Sequence, residues 1–131
     1  MNFSMTYPNV FSIKDRIECL ERSILVNSYA YYELNDNILP DYKYDANTVQ
    51  LENFAKQFPA EFIKSRYYKY FYDFCVVEDG EVCHNSSGFD LLSRVKNDDK
   101  DLYGRIGIDA VWALDSKANP PPGLKKRSDN L

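Results

Sequence analysis

Tyr29-Ala30-Tyr31-Tyr32-Glu33-Leu34-Asn35-Asp36-Asn37-Ile38-Leu39-Pro40-Asp41-Tyr42-Lys43-Tyr44-Asp45 is the stretch on which the fold turns. Five tyrosines and three aspartates are gathered here around a break in helical pattern. Asn35, Asp36 and Asn37 are turn formers, and Pro40 disfavours helix at Leu39, so one helix ends near Leu34 and another begins at Asp41. Asp41 reads as the N-cap of that second helix.

Upstream, Ser12 and Asp15 have the spacing of a capping box, and Ile13, Ile17, Leu20, Ile24 and Tyr31 recur at helical intervals. They predict a helix from Ser12 to about Leu34, with Tyr31 closing its buried stripe. Downstream, the pattern from Asp41 runs to Gln57 and is stopped by Pro59, so residues 12–59 form an antiparallel helical hairpin. A third helix is predicted over Ala60 to about Tyr72, although the aromatic run Arg66 to Phe74 also has strand character. Asp79-Gly80 between short β-formers predicts a small β-hairpin near residues 75–83. Ser87 with Asp90 starts a fourth helix through Phe89, Leu91, Leu92 and Val95, and a last helix spans Asp99 to Asp115, anchored by Trp112. The expected fold is therefore mainly α: a helical hairpin plus about three further helices. It forms one domain over residues 12–117, with an N-terminal arm at 1–11 and a flexible tail at 118–131.

The 131 residues, 44% of them hydrophobic, suffice for one core. With 20 acidic against 16 basic residues, broad capture of nucleic acid by this chain alone is not expected. Cys19, Cys75 and Cys83 lack metal-ligand spacing, and His84 beside Cys83 has no third partner, so no metal and no thiol catalysis are expected. No apolar run reaches membrane-spanning length, and the expected location is the cytoplasm.

On the second helix Asp41, Tyr44 and Asp45 share one face of the first turn, while Tyr31 and Tyr32 end the first helix opposite them. Aromatic faces beside carboxylates suit a flat cationic ring, and carboxylates also accept hydrogen bonds from ribose hydroxyls or a carboxamide. The spacing Tyr29-x-Tyr31-Tyr32, then Pro40-Asp41-x-x-Tyr44-Asp45, then Leu51-Glu52 and Phe58-Pro59, resembles the N-terminal Ia subdomain of bacterial NAD-dependent DNA ligases. That resemblance implies a stand-alone module for nicotinamide mononucleotide or NAD+. Tyr31 would stack on nicotinamide, Tyr32 and Tyr44 would reach the phosphate, and Asp41 and Asp45 would hold the ribose or carboxamide.

Two departures limit what the resemblance implies. Ligases adenylate the lysine of a Lys-x-Asp-Gly motif, and Val77 stands in that place before Glu78-Asp79-Gly80; the length also leaves no room for a nucleotidyltransferase domain. Ligase activity is therefore not expected. A second expectation is a small interaction protein, such as a phage-type anti-defence inhibitor of a host protein, built on the same hairpin and presenting the tyrosines of Tyr67 to Tyr72.

Overall fold

The computed structural model describes residues 11–119. Six helices and one short ribbon follow in the order α1 (Ile13–Glu33), α2 (Asp41–Gln57), α3 (Pro59–Ile63), α4 (Tyr68–Phe71), β1 (Val76–Glu78), β2 (Glu81–Cys83), α5 (Gly88–Asp98) and α6 (Lys100–Ala118). The predicted arm and tail lie outside the described residues, apart from Phe11, Ala118 and Asn119; Ala118 is still the last residue of α6.

α1 is the central helix, packed against α2, α5 and α6. It starts where the sequence indicates, with the Asp15 amide donating to Ser12 Oγ (3.0 Å) and the Ser12 amide to the Asp15 carboxylate (3.3 Å). Ile17, Ile24 and Leu25 then enter a core completed by Leu51 of α2, Phe71 of α4, Leu91 and Val95 of α5 and Ile106 of α6. α5 opens on a second reciprocal capping box, Ser87 with Asp90, and Asp99 caps α6 through the Leu102 amide (3.0 Å). These local pairings fix where the helices begin.

The predicted third helix is broken instead of continuous. It appears as α3 and α4, because Ser65 Oγ turns back to the Phe62 carbonyl (2.8 Å) and lies 3.0 Å from the buried Glu21 carboxyl. A serine hydroxyl that competes for backbone acceptors favours such an interruption. The break lets Tyr67, Tyr70, Phe71 and Phe74 all point inward, so the expectation that Tyr67 to Tyr72 present exposed rings holds only for Tyr72. Arg94 of α5 fastens this segment through the Asp73 carboxylate (2.8 Å) and the Tyr70 carbonyl (2.9 Å).

Asp79 and Gly80 turn with positive φ (52° and 80°), and Val76 pairs with Cys83, Val77 with Val82 and Glu78 with Glu81. Three residues per strand make no sheet layer, so the β part predicted over 75–83 contributes little to the architecture, and Cys75 is buried ahead of it. Trp112 also departs from expectation, being 70% exposed. The buried face of α6 follows Leu102, Ile106 and Ala110; two residues beyond Ala110 the helix has turned about 200°, which carries the indole to solvent.

Candidate nucleotide-binding corner

The last two turns of α1, the link 34–40 and the first turn of α2 enclose a pocket of about 290 Å³. Tyr31, Tyr32, Asp41 and Tyr44 line it, so four of the five predicted residues are brought together. Asp45 is exposed on α2 beside Tyr44 and lies outside the lining. Tyr31 does not end a buried stripe: it is 56% exposed, with Tyr32 set edge-on against it at 4.8 Å between ring centroids. Tyr29 of the same motif turns away and packs against Tyr103 of α6 (5.2 Å).

The backbone explains why Asp41 is available. Pro40, not Asp41, occupies the N-cap of α2, in extended conformation (φ −63°, ψ 155°), and its carbonyl accepts from the amides of Lys43 and Tyr44. Asp41 is thus the first helical residue; its carboxylate caps nothing and faces the pocket at the positive end of the helix dipole. The turn before it rests on Asn35, whose left-handed φ of 54° brings the Asp36 amide back to the Ala30 carbonyl (3.0 Å).

Five further lining residues carry no chemistry signal of their own in the sequence: Asn27, Ser28, Asn37, Ile38 and Leu39. Asn27 and Ser28 stand four and three residues before Tyr31, a helical spacing that could have found them. The amide of Asn27 is held by the Ser23 carbonyl (2.7 Å). Ser28 is 3% exposed and its Oγ meets no partner at full hydrogen-bonding geometry. Burial pushes the Tyr44 hydroxyl pKa up, and the nearby Ser28 hydroxyl pulls against that shift.

The second half of the chain closes the back of this corner. Gly88, at the start of α5, sits so close that a Cβ there would lie 2.4 Å from Ser28 Oγ and 3.5 Å from the Tyr32 ring. Phe89 packs edge-on against Tyr32 (5.6 Å), and the Tyr103 hydroxyl donates to Glu33 (2.8 Å). Replacing Gly88 by Ala is therefore expected to cost about 1–2 kcal/mol by overpacking, even though Ala is the better helix former. Denaturant unfolding measures the loss, and an unchanged midpoint would show that Ser28 rotates away freely.

His84 pairs with Glu52 and packs on Phe74 (4.8 Å), while burial pushes the Cys75 thiol up to about 12, far from a reactive thiolate. Among the described residues no group of three or more His, Cys, Asp or Glu side chains is placed to hold a metal ion, and no helix is long and apolar enough to cross a membrane.

Residues 11–66, which contain the whole hairpin and every lining residue of the pocket, match the family model described as DNA ligase-like, N-terminal NAD+-binding domain. Over this segment the chain is similar to that ligase-like domain. Comparison with curated proteins and with solved structures returns no match. The residues that brace the ligase-like corner from behind, Gly88, Phe89 and Tyr103, lie beyond the matched segment.

Proposed function

We propose that the ligase-like corner binds the nicotinamide mononucleotide moiety, free or as part of NAD+, without transferring adenylate. The observation that carries this reading is the placement of the exposed Tyr31 ring and the uncapped Asp41 carboxylate in one pocket. A pyridinium ring stacked on Tyr31 gains about 1–2 kcal/mol once desolvated, and Asp41 balances its charge. Asp41 also accepts from a ribose hydroxyl or the carboxamide, with Tyr32 and Tyr44 as donors and Asp45 at the outer edge. The volume of about 290 Å³ lies at the small end of ligand pockets, which span about 300–1,000 Å³, and so favours the mononucleotide half over a complete dinucleotide. Val77 in place of the adenylated lysine supports binding without ligation. Calorimetric titration with nicotinamide mononucleotide and with NAD+ tests the proposal; absence of heat for both at millimolar ligand overturns it.

A second reading is a protein-interaction role, favoured by Ile108, Val111 and Trp112, which stand exposed at i, i+3 and i+4 on α6. Under it, the intact chain captures one partner protein stoichiometrically and Trp112→Asp does not. Equal capture by both, or none by either, removes this reading.

A further inference from the structure

We propose that Lys117, in the last turn of α6, is the phosphate-binding residue of the corner, so that the site selects a phosphorylated nicotinamide ligand over the riboside. This rests on the nicotinamide reading above and adds to it a residue 51 positions beyond the ligase-like segment.

Three observations carry it. The pocket lining contains Asp41 but no lysine, arginine or histidine, so nothing in the wall itself balances the phosphate charge of a mononucleotide. Lys117 reaches the rim from across the fold, its Nζ donating to the carbonyl of Asn37 (2.5 Å), and Asn37 is a lining residue. That acceptor is neutral, and Lys117 forms no ion pair among the described residues, whereas Arg22, Lys69, Arg94 and Arg105 are each paired with an aspartate. An ammonium has three donors, so two remain for phosphate oxygens while the first holds Asn37. The carboxylates nearest the rim in sequence, Asp36 and Asp41, repel a phosphate. With the ring fixed by Tyr31 and Asp41, the 5′ substituent leaves the pocket at its mouth, and Lys117 is the cation attached there.

The test compares nicotinamide mononucleotide with nicotinamide riboside by calorimetry on the full chain. The wild type is expected to prefer the mononucleotide by about tenfold in 50 mM KCl, and to lose most of that preference in 500 mM KCl, where screening shortens to a few ångströms. Lys117→Met is expected to bring the two affinities within about twofold of each other while leaving the riboside unchanged; Lys117→Arg retains the preference. A contact that only holds the Asn37 turn would weaken both ligands alike, and that result overturns the proposal, as does a wild type that binds the two equally. Binding of the riboside alone refutes the phosphate role and leaves the nicotinamide reading standing. Binding of neither ligand refutes that reading, and this inference falls with it.

Discussion

Tyr31→Ala is expected to abolish calorimetrically detectable binding of nicotinamide mononucleotide while the protein stays folded. The ring is the most exposed of the three tyrosines that line the pocket, and its 56% exposure makes it available to a ligand without rearrangement. Truncation removes the cation–π contribution together with the apolar contact area, a combined loss of about 2–3 kcal/mol, or roughly 30- to 150-fold in affinity. The cost to stability is small because the side chain lies outside the core and packs against the edge of Tyr32, itself exposed; about 0.5–1 kcal/mol is expected in denaturant unfolding. Tyr31→Phe keeps the ring and retains most of the affinity, which separates stacking from any role of the hydroxyl. Unchanged affinity in Tyr31→Ala would place the ligand elsewhere.

Glu21 carries the second large effect. It is fully buried in α1 among core residues, and desolvation, only partly offset by the Ser65 hydrogen bond, raises its carboxyl from an ordinary 4.5 to about 8. The local bonding agrees with a neutral acid. Ser65 Oγ has both the Phe62 carbonyl and Glu21 within reach, and one hydroxyl proton cannot serve both, so the proton on Glu21 supplies the second bond. Because the folded state holds this proton to a higher pH than the unfolded chain does, stability is highest below about pH 4.5 as far as this group is concerned. It falls as pH rises through the window from 4.5 to 8 and is lowest above it. The loss across that window is about 4–5 kcal/mol, a large share of a small domain's stability. The opposing groups act elsewhere on the pH axis. Asp73 is lowered by Arg94, Asp90 by the backbone and side chain of Ser87, and Asp98 by Lys69 and Tyr70; what they contribute is lost only as pH drops below the ordinary carboxylate range. Glu21→Gln is therefore expected to be markedly more stable than the wild type at pH 9 and close to it at pH 5. Urea titrations at the two pH values measure this, and a wild type equally stable at both would show that Glu21 ionises in the folded protein.

Much of the fold is legible because the signals that bound its helices act within one turn. Ser12 with Asp15, Ser87 with Asp90, and Asp99 mark three starts, and Pro40 and Pro59 mark two junctions, since each works through its own amides and dihedral angles. Asn35 was legible as a turn residue for the same reason. The interruption at Ser65 was not, because it depends on Glu21, 44 residues away, and neither was the exposure of Trp112, because hydrophobicity does not say which face of α6 meets α1. Within the corner, the clustering of Tyr31, Tyr32, Asp41 and Tyr44 could be read from spacing, whereas the position of Asp45 outside the pocket lining and of Ser28 and Asn37 within it could not.

By itself, then, the sequence determined the helical hairpin and its aromatic and acidic corner, through capping, proline geometry and helical period, all of which operate over three or four residues. The tertiary structure decided which of those side chains share a pocket, that Gly88 and Phe89 back it, that Lys117 reaches its rim, and that burial pushes the Glu21 carboxyl up. The last three depend on burial and on contacts between residues about 40 to 80 positions apart, and no local pattern encodes which distant surface will exclude water from a given side chain.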